Sequence, residues 1–224
     1  MSLDAVIFDC DGVLVNSEEI YQRIERQCLA EIGLVYDPHE YAEKYLGVTF
    51  AHYAAGLNQD HERQHGQPLP EHFMPRLQQL TADEVDRSLV ACDGALAAVA
   101  AISLPKAVAS SSGAMRLAVK LRKVGLIDFF TPHVYSAEAV KRGKPAPDVY
   151  LYAAEGLGVS PQRCIAVEDS VNGVVSAVGA GMKVIGFVGG GHCSSQQKTR
   201  LKAAGAVKVI DHMDQLSSAL EGVS

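Results

Sequence analysis

Six short apolar runs punctuate the chain: AVIFD (5–9), KAVAS (106–110), HVYSA (133–137), CIAVE (164–168), KVIGFV (183–188) and VKVI (207–210). They read as buried parallel strands. Most are separated by segments with helical spacing, among them RLAVKLRKVGL, PDVYLYAAEGLG, SVNGVVSAVGAG and KTRLKAAGA. Strand and helix in alternation predict an α/β fold, a doubly wound parallel sheet of the Rossmann-like kind, with its site at the carboxyl ends of the strands.

The alternation fails between Asp9 and Lys106, a stretch far longer than the ~2 to 6 residues that a βα loop needs. From Ser17 to Ser88 the pattern is helical and rich in Glu, Gln, Arg and His, with breaks at Gly33, Pro38, Gly47, Gly56 and the Gly66 to Pro70 segment. The expected organisation is an α/β core of residues 1–16 and 89–224, interrupted by an α-helical cap of residues 17–88. The cap is entered near Asn16 to Glu19 and left near Ser88 to Asp93.

Composition narrows the function classes. Hydrophobic residues make up 48% of the 224 and charged residues 21%, the balance of a soluble globular protein. Lys plus Arg is 20 against 26 Asp plus Glu, a net charge of -6 with no basic block, which argues against nucleic acid as a partner. No apolar run is long enough to span a bilayer, and the N-terminal MSLDAVIFDCDG reads as a first strand rather than a targeting segment. The five cysteines, Cys10, Cys28, Cys92, Cys164 and Cys193, are scattered without a CxxC, as befits reduced thiols. A cytoplasmic monomer without disulfides or structural zinc is expected.

Candidate chemistry concentrates where the strands end. Asp9 and Asp11 flank Cys10 at the end of the first run, and Gly12 permits a sharp turn there. Two ionised carboxylates ~5.5 Å apart at an effective dielectric near 20 repel by roughly 3 kcal/mol, enough to raise one pKa by about two units. A lone DxD pair most often marks a solvated turn. Here, though, the second run ends in VASSSGAM, where Ser110 and the backbone N–H groups of an opening helix suit an anion. In VKRGKPAPDVY two prolines follow Lys144 and fix the backbone ahead of a helix beginning near Pro147. CIAVEDSVNG then sets a second acidic pair, Glu168 and Asp169, at another strand end. Carboxylates gathered in this way fit Mg²⁺, which one or two of them hold together with waters and a phosphate oxygen.

The motifs FDCDGVLVNSE, VASSS, GKPAPD and VEDSVNG, in this order and over essentially the whole chain, resemble those of the haloacid dehalogenase-like phosphotransferases. The similarity is to the helical-cap branch that includes β-phosphoglucomutase and many sugar-phosphate phosphatases. FDCDG with VNSE further resembles the bacterial 6-phosphogluconate phosphatase-like group. The resemblance implies Asp9 as the nucleophile that becomes an aspartyl phosphate, and Asp11 as acid to the leaving alkoxide and then base toward water. Ser110, Ser111 and Lys144 would hold the phosphoryl oxygens. Mg²⁺ would be bound by Asp9, the backbone carbonyl of Asp11 and Asp169, with Glu168 acting through water.

Asp11 also separates this chain from the dehalogenases, which lack the second acid, and from the phosphonate-cleaving relatives, which have a small residue there. Asn16 stands where many relatives have Asp, a loss of charge at the cap hinge that leaves the chemistry untouched. Mutases carry an Arg after the cap's YLGV-like turn to grip a second phosphate. YLGVTFAHY has Phe50 at about that position, which favours hydrolysis of a small phosphorylated metabolite over a mutase. A non-catalytic binding module on the same fold is the alternative of another class.

Other signals carry less. HERQH (61–65) matches the HExxH zinc pattern, but GQPLP follows and ends the helix, and no third ligand is evident. GFVGGGHCSS lacks the lysine of a phosphate loop. Cys10 is expected to pack away from the acids. Lys44, Arg63, Arg76 and Arg87 are cap cations for which surface charge is the default reading.

Overall fold

The computed structural model describes residues 3–45, 50–190 and 196–223, without the side chains of residues 38, 39, 42, 43, 50 and 51. The YLGV turn beyond Tyr45 (46–49), the side chain of Phe50, and the GHCSS part of the glycine-rich segment (191–195), with Cys193, lie outside the described residues.

Six strands, β1 (Ala5–Phe8), β2 (Lys106–Ser110), β3 (Val134–Ser136), β4 (Cys164–Glu168), β5 (Lys183–Phe187) and β6 (Lys208–Ile210), form one sheet in the order β3-β2-β1-β4-β5-β6. Every pairing is parallel. Each strand lies within the run that predicts it. β1 stops one residue short of Asp9, whose N–H nonetheless still donates to the Val167 carbonyl at 3.0 Å. The order reverses between β1 and β4, and doubly wound sheets bind ligands in the crevice beyond the strand ends at such a reversal.

The described helices are α1 (Ser17–Glu31), α2 (Pro38–Tyr45), α3 (Phe50–His65), α4 (Phe73–Ser88), α5 (Ala95–Ala101), α6 (Ala114–Lys123), α7 (Asp148–Leu157), α8 (Val171–Gly179), α9 (Gln197–Ala204) and α10 (Leu216–Glu221). β1 and β4 are buried along their whole length, which explains their unbroken apolar sequences. Small residues of α7 and α8 (Ala153, Ala154, Ala177) pack with Ala5, Ile7, Ala107, Ala166 and Val184 of the strands. The chain divides into two compact units, one of residues 1–18 and 89–224 and the other of residues 19–88.

The second unit is helical and has its own core of Cys28, Leu29, Leu34, Tyr41, Tyr45, Tyr53, Leu57, Phe73 and Leu77. Its buried Asp60 accepts hydrogen bonds from the hydroxyls of Tyr36 (2.6 Å) and Tyr45 (2.7 Å) and from Lys44. Four cations of this unit meet its own acids: Lys44 and Arg63 at Asp60, Arg76 at Glu31 (2.8 Å) and Arg87 at Glu84 (2.9 Å). HERQH closes α3. His61 is buried, with Nδ1 2.9 Å from the Gln67 carbonyl, and its ring lies 4.6 Å from that of His65, tilted by 46°. Among the described residues the pair joins no cluster able to hold a metal.

Candidate active site

Asp9 leaves β1 just as the chain must turn, and the turn is built on Gly12, whose φ of 80° lies in the left-handed region that glycine adopts freely. The N–H groups of Leu14 and Val15 both donate to the Cys10 carbonyl, closing the loop and setting Asp9 and Asp11 in fixed directions. Cys10 between them is buried in the core, where desolvation pushes its thiol well up.

Beside β1, β4 delivers Glu168 and Asp169. One oxygen from each of Asp9, Glu168 and Asp169 lies within 4.8 Å of the others, and all three residues are buried. Lys144 enters from the segment before α7. Its ammonium donates to Asp9 Oδ1 at 2.7 Å and to Glu168 Oε1 at 2.6 Å. Burial alone would lower the lysine's pKa, but the two carboxylates outweigh it and hold the group above its ordinary value.

Glu168 is the most enclosed of the acids. Oε1 also accepts from the hydroxyl of Tyr150 at 2.7 Å, while Oε2 faces Ser170 Oγ at 3.1 Å and the N–H groups of Asp169 and Ser170. Ser170 caps α8 by accepting from the Gly173 N–H at 3.0 Å. A Cβ at Gly173 would lie 1.9 Å from the Glu168 carboxyl carbon, so the fit around this acid requires glycine there.

The two acids of the DxD pair face different partners. Burial raises Asp9 well above the usual carboxylate range; Lys144 opposes this, and Glu168 and Asp169 reinforce it. Asp11's contribution to Asp9 ranks behind all of these, so the repulsion expected from the spacing alone is the lesser effect. The reason lies in the Asp11 carboxylate. Oδ1 accepts from Ser17 Oγ and from the Lys120 ammonium, and Oδ2 accepts from Ser112 Oγ at 2.7 Å. Burial pushes Asp11 up, yet the charge of Lys120 and these hydrogen bonds prevail and its pKa falls below the ordinary value.

At the end of β2, Ser110 is buried and its Oγ accepts from the Ser112 N–H at 3.0 Å, while Ser111 is exposed. The helix expected to open here starts later, at Ala114, and its first N–H donates to Glu138 Oε2 at 2.9 Å. A carboxylate of the chain itself therefore takes that part of the expected anion site.

Sequence reasoning passed over Ser17, Ser112, Lys120 and Tyr150. Lys120 leaves a legible trace: it shares the buried face of α6 with Leu117 and Leu121, at i, i+3, i+4 spacing, and a lysine in an apolar stripe calls for a buried counter-charge. Tyr150, two residues beyond Asp148 in KPAPDVY, leaves none.

A hard divalent cation such as Mg²⁺ suits this donor set: three buried carboxylates offering oxygen ligands, with Lys144 offsetting only part of their charge. Among the described residues no helix is long and apolar enough to cross a membrane. A family model for haloacid dehalogenase-like hydrolases matches residues 3–181. The chain is 31% identical over 190 residues to the 6-phosphogluconate phosphatase of Escherichia coli, covering 85% of each. A haloacid dehalogenase-like protein from Agrobacterium tumefaciens superposes with a TM-score of 0.90 at 37% identity, over 99% of each chain. A hydrolase of the same family from Deinococcus radiodurans, crystallised with bound phosphate and sodium, does so at 0.82 and 36% identity, over 98% of this chain and 96% of that one. The chain belongs to the haloacid dehalogenase-like hydrolase family and to its phosphatase branch.

Proposed function

We propose that the protein is a Mg²⁺-dependent phosphohydrolase that cleaves a small phosphate monoester, a phosphorylated sugar or sugar acid, through an aspartyl phosphate on Asp9. The observation that carries this reading is the convergence of Asp9, Glu168 and Asp169 within 4.8 Å, with Lys144 2.7 Å from the Asp9 carboxylate. The phosphatase named for a sugar-acid phosphate, at 31% identity, supports the substrate class.

In the first half-reaction the Asp9 carboxylate, its ionised form favoured by Lys144 and by the cation that would sit beside it, forms a bond to phosphorus as the bond to the ester oxygen breaks. Asp11, carrying the proton that the approach of the anionic substrate favours, gives it to the departing alkoxide. In the second, Asp11 takes a proton from water, the water oxygen bonds to phosphorus, and the bond to Asp9 breaks to release inorganic phosphate. Lys144 steadies Asp9 and the phosphoryl oxygens, and Ser110 and Ser111 hold those oxygens from the β2 end. Asp9 and Asp169, with the backbone carbonyl of Asp11, would hold the cation, and Glu168 would act behind them through water. When bound, Mg²⁺ supplies charge compensation for the phosphoryl group. The helical unit of residues 19–88 serves as the cap that reads the leaving group, in a cytoplasmic monomer.

The test is phosphate release from a panel of phosphorylated sugars, sugar acids and small alcohols, with and without Mg²⁺, using Asp9→Asn as the blank. Mg²⁺-dependent release that vanishes in the variant is the expected result. Interconversion of sugar phosphates only after a bisphosphate is added, with no release, would make the protein a mutase instead.

A further inference from the structure

A lysine whose side chain is only 3% exposed lies on α6, outside the family motifs, between Leu117 and Leu121. Burying an ammonium is expensive unless its charge is met, and an apolar side chain would fill the same place without that cost. Lys120 spends its charge on Asp11: it donates to Oδ1 and, at 3.0 Å, to Ser112 Oγ, which in turn donates to Oδ2 at 2.7 Å. Ser112 is itself held from both sides, its N–H on Ser110 Oγ at 3.0 Å and its carbonyl accepting from Ser136 Oγ at 2.8 Å. Ser17 adds a second donor to Oδ1.

We propose that Lys120, acting with Ser112, is a positioning residue that sets the direction of the Asp11 carboxylate for proton transfer to the leaving group and from water. Both carboxylate oxygens are bound by donors from elements other than the Asp11 loop, so the side chain's torsions are fixed by α6, the β2 end and the first residue of α1 rather than by its own turn. Proton transfer in the transition state depends on placement at this scale, and a loosened acid loses rate without losing substrate affinity. The inference rests on the reading of Asp11 as acid and base.

The experiment measures single-turnover release of the leaving group from two substrates, an alkyl phosphate that the enzyme turns over and p-nitrophenyl phosphate, whose leaving group departs without a proton. Wild type, Asp11→Asn, Lys120→Met and Ser112→Ala are compared. For Lys120→Met the expected result is a loss of roughly a hundredfold on the alkyl ester, and less than about threefold on the aryl ester, with KM little changed. Ser112→Ala, the variant that keeps the test alive should Lys120→Met fail to fold, shows the same selectivity with about a tenfold loss. Equal losses on both esters for whichever of these variants folds, beside an Asp11→Asn that shows the selectivity, would make the cluster merely structural and overturn the proposal. An Asp11→Asn that loses both esters equally would instead remove the acid–base reading, and the positioning role with it.

Discussion

Lys144 donates to Asp9 Oδ1 at 2.7 Å across 135 residues of sequence, tying the segment before α7 to the end of β1. The same ammonium holds Glu168, so one cation compensates two buried carboxylates from neighbouring strands. Lys144→Met should abolish turnover and also weaken the fold. Removing one partner of a buried ion pair costs about 3–5 kcal/mol, and here two acids lose their partner together. Denaturant unfolding of the variant measures this; a stability equal to that of wild type would mean that the cluster does not hold the charges described.

Gly173→Ala places a methyl group on the carboxyl of Glu168, a residue with no exposed surface toward which to move. A destabilisation of about 1–3 kcal/mol is expected from such overpacking. If Glu168 supports the cation, the Mg²⁺ concentration giving half-maximal activity rises as well, which a titration of activity against Mg²⁺ reads directly.

Tyr150→Phe removes the hydroxyl that donates to Glu168 Oε1 at 2.7 Å, while a phenyl ring preserves the aromatic face 4.9 Å from the Lys144 ammonium. The expected loss is about 1–2 kcal/mol of stability, since Glu168 keeps its other donors. Parallel unfolding curves of wild type and variant test it, and no change would show that the hydroxyl contributes nothing net.

How much of this was legible follows from what strand ends and spacing reveal. Asp9, Ser110, Glu168 and Asp169 stand where apolar runs stop, and the parallel order brings those ends side by side, so their proximity follows from topology. Side-chain direction does not. The DxD spacing suggested that Asp9 and Asp11 oppose one another, whereas Asp11 turns to Lys120, a residue 109 positions away that no local pattern links to it. The start of α6 shows the same limit: the Ala114 N–H donates to Glu138, from beyond β3, a long-range partner that no local pattern marks.

In the helical unit, Glu25 accepts from the Tyr41 hydroxyl, and burial raises its pKa from 4.5 to about 7. The folded protein therefore keeps a proton there that the unfolded chain releases between about pH 4.5 and pH 7. Over that interval folding is penalised increasingly as pH rises, and above pH 7 the penalty is complete. Glu25→Gln should abolish that part of the decline and stabilise the protein at pH 8 by up to about 3 kcal/mol. Unfolding midpoints at pH 5 and pH 8 check this; a difference between variant and wild type that is the same at both pH values would contradict it.

The most direct test of the central claim is to quench the enzyme with acid during turnover of a substrate found in the phosphate-release panel, and to weigh the peptide that contains Asp9. The account predicts a phosphoryl group on that peptide in wild type, absent from Asp9→Asn and absent when Mg²⁺ is withheld. Steady phosphate release with an unmodified Asp9 peptide, under conditions where Asp11→Asn given p-nitrophenyl phosphate, whose leaving group needs no proton, also fails to accumulate the phosphoryl group, would contradict covalent transfer to Asp9.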